Sequence, residues 1–159
     1  MTVKQFEEEL EMYSVDFAKD GRTFLMQYAE LGNNKIVDYL IKKKAKLNKQ
    51  DDNGITALYT AAVRDRKYIV NALIKAGADV DVQDTEGDTA LHRVMYNRGS
   101  KKIVEILILA GADLSIKNED GHTAEDLMIG EYKKVFLSSV KKVKGMKKLG
   151  KYADLLGDI

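Results

Sequence analysis

His92 and His122 are the only imidazoles in this chain, and cysteine is absent. An imidazole does acid and base work only with a positioned partner, and neither histidine lies in a nucleophile or metal-ligand pattern. The sequence contains no His-Glu-x-x-His helix, Gly-x-Ser-x-Gly elbow, phosphate loop or dinucleotide fingerprint. The stretch Asp79-Val-Asp81-Val-Gln-Asp84 has the look of calcium ligands. A calcium loop, however, needs glycine at its sixth position, where Asp84 stands, and a closing bidentate glutamate that is missing. These side chains therefore read as turn formers. No enzyme activity, cofactor or metal is expected.

Composition bounds the remaining possibilities. With 159 residues, 45% of them hydrophobic and 32% charged, the chain fits one soluble folded domain. Lack of cysteine excludes a disulfide framework and suits a reducing compartment. The first 20 residues mix Lys4, Glu7, Glu8, Glu9, Glu11 and Asp16 with scattered apolar positions, unlike a signal-peptide core. The longest apolar run, Ile106 to Ala112, is too short to span a bilayer. A cytoplasmic, monomeric protein is the expectation. Formal net charge is only +1, but residues 1–18 hold five acids against one lysine, and residues 132–153 hold eight lysines and no acid.

A repeat organises these residues. Gly21, Gly54, Gly87 and Gly121 recur at spacings of 33, 33 and 34, each followed two positions later by Thr23, Thr56, Thr89 or Thr123. In the same register run Ile36-Val37/Leu40-Ile41, Ile69-Val70/Leu73-Ile74 and Ile103-Val104/Leu107-Ile108. A threonine after a glycine turn predicts a helix N-cap. The short apolar stretches 57–63 and 90–96 then predict a helix buried on most sides. The i, i+1, i+4, i+5 stripes predict a second helix, closed by left-handed glycine at Gly77 and Gly111. Stretches 79–87 and 113–121 predict hairpin-like turns between units. No such pair hides its apolar face alone, so the units must stack.

The segments Asp52-Asn-Gly-Ile-Thr-Ala-Leu-Tyr59 and Thr85-Glu-Gly-Asp-Thr-Ala-Leu-His92, with Gly77-Ala78-Asp79-Val80, resemble ankyrin repeats over about residues 20–138. The family's Thr-Pro-Leu-His becomes Thr23-Phe-Leu-Met26, Thr56-Ala-Leu-Tyr59, Thr89-Ala-Leu-His92 and Thr123-Ala-Glu-Asp126. The expected fold is an all-α repeat solenoid: a stack of helix-turn-helix units joined by hairpin-like turns, with N- and C-terminal capping helices. The expected division is a cap helix over 1–19, repeats over 20–51, 52–84, 85–118 and 119–138, and a lysine-rich cap or tail over 139–159. One extra residue near Gly99-Ser100 lengthens the loop inside the third repeat. For the C-terminal stretch three readings stand: a solvated cap helix, a docking tail at Lys141 to Lys151 for an acidic partner or nucleic acid, and a membrane-surface helix.

The resemblance implies a protein-binding module that grips a folded partner through its concave face and turn tips. An inhibitor or immunity-type protein that occludes an enzyme or toxin is an alternative within that class. It also implies that His92 ties adjacent turns. Carried over, the partner-binding surface comprises Arg22 and Glu30 in the first repeat, and Asp52, Asn53, Ile55, Val63 and Arg64 in the second. Gln83, Thr85, Glu86, Asp88, Tyr96 and Asn97 continue it in the third, and Lys117, Glu119 and His122 in the fourth. Tyr96 and Arg64 are the expected anchors, since aromatic and arginine side chains dominate interface energetics.

Overall fold

The structure is a computed structural model that describes residues 2–11 and 13–143. Among these, α1 (Val3–Leu10) is followed by a two-strand hairpin, β1 (Ala18–Lys19) and β2 (Arg22–Thr23). Three helix pairs come next: α2 (Phe24–Leu31) with α3 (Asn34–Lys42), α4 (Ala57–Val63) with α5 (Lys67–Lys75), and α6 (Ala90–Tyr96) with α7 (Lys101–Leu109). The long α8 (Glu131–Val143) closes the described chain. Helices α2, α4 and α6 stack into an inner layer and α3, α5, α7 and α8 into an outer one. The expected solenoid is the observed fold.

Each inner helix begins as its sequence dictates. The hydroxyls of Thr23, Thr56 and Thr89 accept from the amides of Met26, Tyr59 and His92, satisfying one orphan donor of each first turn. The outer helices bury the expected stripe: Ile36, Val37 and Leu40, then Ile69, Val70 and Leu73, then Ile103, Val104 and Leu107 are all fully buried. Gly77 and Gly111 end α5 and α7 with φ of 96° and 94°. The equivalent position after α3 is Lys44, which is held at φ 65°.

Successive turns are tied edge to edge. The Thr85 amide donates to the Asn53 carbonyl at 3.0 Å, and one unit on, the Glu119 amide donates to the Glu86 carbonyl at 3.0 Å. The Gln50 side chain donates to the carbonyls of Gly54 and Gln83, and Gln83 repeats the pattern toward Gly87 and Lys117. This approach leaves no room for a side chain at Gly54, where an added Cβ would lie 2.8 Å from the Asp84 Cα.

The two ends depart from the regular unit. The N-terminal helix stops at Leu10, and the described remainder of the expected 1–19 cap holds turns and a strand but no further helix; Asp20 and Gly21, at φ 51° and 73°, form the two-residue hairpin loop. Phe6 is fully buried in edge-to-face contact with Phe24 and Tyr28, their centroids 5.3 and 4.9 Å away. In the fourth unit Thr123 still accepts from the Asp126 amide, but only a turn follows. Glu125 and Asp126 are exposed there and offer no apolar face to bury. Helix α8 runs through the expected boundary at 138/139. Residues 144–159, with most of the Lys141 to Lys151 run, lie outside the described residues.

Two substitutions test the turn geometry. Gly54→Ala is expected to lose about 2 kcal/mol or more in urea unfolding, clearly more than Gly77→Ala, because both carry left-handed strain but only Gly54 meets backbone. Lys44→Gly should gain about 0.5–1 kcal/mol by relieving strain at φ 65°. Equal losses at the two glycines would show that the close approach is unimportant.

Candidate functional site

Two clefts open on the inner layer, each where one unit meets the next. The first, of about 420 Å³, is lined by Arg22, Glu30, Asp51, Asn53, Ile55, Tyr59, Thr60, Val63 and Arg64. Arg22 comes from β2 and Glu30 from the last turn of α2, while Val63 and Arg64 end α4 one unit later. The repeat offset places Arg22 and Arg64 on either side of one carboxylate: Glu30 Oε2 lies 2.9 Å from Arg22 Nη2, and Glu30 Oε1 pairs with Arg64 Nη2. Hydrogen bonds first from Arg22 and then from Arg64 hold the Glu30 carboxyl below its ordinary range.

The second cleft, of about 340 Å³, is lined by Glu86, Asp88, Arg93, Tyr96, Asn118, Glu119 and Asp120. Arg93 is its organiser. Its Nη2 lies 3.2 Å from Asp84, 2.7 Å from Glu86 and 3.2 Å from Asp88, and its Nε donates to the Tyr59 hydroxyl at 2.8 Å. Tyr59 in turn donates to Asp84 at 2.7 Å. Burial pushes the Tyr59 phenol well above its usual value, and the bond to Asp84 adds to this. Burial also pushes Asp84 up, but hydrogen bonds from Tyr59, from the Asp88 and Glu86 amides and from Arg93 outweigh it, so its carboxyl lies below the usual range. For Arg93, burial works against the charge, and the bonds to Glu86, Tyr59 and Asp84 more than restore it.

His92 is fully buried and links units, as the resemblance implied. The Thr89 amide donates to its Nδ1 at 3.3 Å, and its Nε2 lies 3.3 Å from the His122 carbonyl, so the network assigns the proton to Nε2. His122 is exposed, with its Nδ1 3.3 Å from the Tyr96 hydroxyl. Asp79, Asp81 and Asp84 each accept backbone amides, from Asp81, from Asp113, and from Glu86 and Asp88 respectively. Among the described residues no group of three or more His, Cys, Asp or Glu side chains could hold a metal ion.

Of the surface residues read from sequence, Arg22, Glu30, Asn53, Ile55, Val63 and Arg64 come together in the first cleft, and Glu86, Asp88, Tyr96 and Glu119 in the second. Asp88 needs correction as a partner-facing residue: its side chain is 4% exposed, held by Arg93 and by Asn118 at 2.8 Å. Asp52, Gln83, Thr85, Asn97, Lys117 and His122 are exposed but line neither cleft, and Gln83 serves as a tie between turns. Sequence reasoning missed Arg93, Tyr59 and Thr60. Gln27, Thr60 and Arg93 stand 33 residues apart at one position that varies from unit to unit, which was a usable signal.

Residues 3–84 and 25–118 match the family described as Ankyrin repeats (3 copies). No curated protein matches the chain.

Arg93→Met should lower stability by about 3 kcal/mol, because Asp84 and Asp88 would stay buried without their cation. Adding Asp84→Asn and Asp88→Asn should recover much of that loss; a triple variant no better than the single one would rule out unpaired charge as the cause. The depressed Glu30 and Asp84 carboxyls add stability that is fully present above the ordinary carboxylate pKa of about 4 and is lost as pH falls through their lower folded values. Melting temperature should accordingly drop below about pH 4, with a shallower acid limb in Asp84→Asn.

Proposed function

The chain belongs to the ankyrin-repeat family of protein-interaction modules, and we propose that it binds a folded protein partner through the inner layer and the turn tips. The observation that carries this reading is the row Glu30, Val63 and Tyr96, which recurs at 33-residue spacing along the inner helices and borders both clefts. Val63 and Tyr96 expose 36% and 41% of their surface on this row, although the apolar residues before them on the same helices are buried. A solvated valine and tyrosine beside fixed arginines make a surface that gains from being covered. Arg64 and Tyr96 are the anchors in this reading.

The polar networks beneath the row support the same conclusion. Arg22, Arg64 and Arg93 are already oriented by carboxylates, so a partner meets donors whose rotamers are fixed and loses less entropy on docking. A cytoplasmic monomer suits this reading, and the absence of cysteine fits a reducing compartment. Among the described residues no helix is long and apolar enough to cross a membrane.

The test is capture of partners from native lysate, followed by affinity measurement with the purified partner. The double variant Arg64→Ala with Tyr96→Ala is expected to weaken binding by well over about 1 kcal/mol while its circular dichroism and melting stay near those of the parent. Undiminished affinity in a folded double variant would remove both residues as anchors.

A further inference from the structure

The charges of this chain are unevenly distributed: α1, which packs against α3, exposes Glu7 and Glu8, whereas the outer helices of the repeats are basic. On the outer helices α3, α5 and α7 lie six lysines, Lys35, Lys42, Lys67, Lys75, Lys101 and Lys102, against two acids, Asp38 and Glu105. All six are exposed. Lys133 and Lys134 continue the face on α8, where Glu131 is their neighbour. The turn tips carry Asp51, Asp52, Glu86, Glu119 and Asp120 against Lys49 and Lys117. The formal net charge of +1 hides this division.

The placement of the lysines works against helix stability. Lys35, Lys67 and the pair Lys101 and Lys102 fall in the first turns of α3, α5 and α7, and none of those turns contains an acid. Cations at the positive end of a helix are unfavourable by roughly 0.3–1 kcal/mol each at low ionic strength. A local rule broken in three successive units, at exposed positions, points to a requirement other than folding. Pairing relieves part of the charge: Lys67 meets Asp65, Lys101 meets Glu131 and Lys102 meets Glu105.

We propose that this outer face binds the phosphate backbone of double-stranded nucleic acid without reading its sequence. Charge complementarity selects a polyanion, and the residue type narrows it. The cations on these outer helices are all lysine, whereas Arg22, Arg64, Arg66, Arg93 and Arg98 all lie elsewhere. Lysine is a mobile point charge suited to a diffuse row of phosphates, and arginine to a fixed fork. The exposed large hydrophobics of α3, α5 and α7 are Tyr68 and Leu109, and Tyr68 donates to Asp38 at 2.7 Å. That leaves neither the apolar wedge a bilayer surface calls for nor the stacking platform that single strands use. The face lies on the other side of the stack from the clefts, so the two surfaces act independently.

The experiment titrates the full chain with a short mixed-sequence DNA duplex at several salt concentrations. A parallel titration uses vesicles of phosphatidylcholine with phosphatidylserine. The expected result is salt-dependent duplex binding that weakens at least about tenfold in Lys35→Gln/Lys67→Gln/Lys101→Gln/Lys102→Gln, with a log-log salt slope shallower by about 0.9 for each phosphate that is no longer neutralised. That variant removes unfavourable helix-end charges together with three exposed ion pairs, so its melting temperature should change little. Arg64→Ala with Tyr96→Ala should bind duplex as the parent does. No duplex binding at low salt, an unchanged slope in the quadruple variant, or binding to vesicles alone would each overturn the proposal.

Discussion

The rest of the structure depends on how closely one turn can approach the next. Amides of Thr85 and Glu119 reach carbonyls of the preceding unit at 3.0 Å, and Gln50 and Gln83 add a side-chain rung on the same edge. A hydrogen bond tolerates little error in length, so these rungs fix the offset between units at one repeat. The inner and outer helices then meet their counterparts with Ile36, Ile69 and Ile103 in register, and the apolar interior follows. Glycine at positions 54 and 87 is the condition for all of this, since a Cβ at either would lie within 2.9 Å of the next turn's backbone.

The same offset builds the clefts. Side chains that are remote in sequence, such as Arg64 and Glu30 or Arg93 and Tyr59, are brought together because they sit near equivalent positions of adjacent units. Arg93 gathers Asp84, Glu86 and Asp88, which alone would repel one another, and Tyr59 and Asn118 satisfy the oxygens that remain. Polar groups with one satisfied arrangement give the cleft a defined shape before anything docks. The outer layer is of another kind: its lysines lie on exposed helix faces, each paired with at most a single nearby acid.

Much of this was legible in the residues. Glycine, threonine and the apolar stripe each fix a local geometry on their own, and their shared period fixed the stack. The fourth unit kept its glycine and threonine, Gly121 and Thr123, and so read as a repeat that departs from the pattern; Glu125 and Asp126 leave it without an inner helix. A cap starts a helix only where an apolar face follows to hold it. The candidate surface was legible where exposure follows from position, as at Arg64 and Tyr96. It was not legible at Asp88, whose burial depends on Arg93 and on Asn118, 30 residues away. Arg93 was not legible because a lone arginine in a short apolar helix reads as a solvated edge, and only the fold brings it against Asp84, Glu86 and Asp88 of the turn before its own helix and Tyr59 of the preceding unit.

The ties between units are unequal across the width of the molecule. Along the turn edge they are directional bonds of about fixed length, with Gln83 reaching Lys117 at 3.0 Å; among the outer helices they are mainly apolar contacts around Leu40, Leu73 and Leu107. Dispersion between greasy surfaces resists separation but permits small sliding. Under load such a body behaves as a hinged fan: the bonded edge is the inextensible pleat, and the opposite side opens or closes by small rotations between leaves. Its curvature is thus the soft coordinate and its contour length the stiff one.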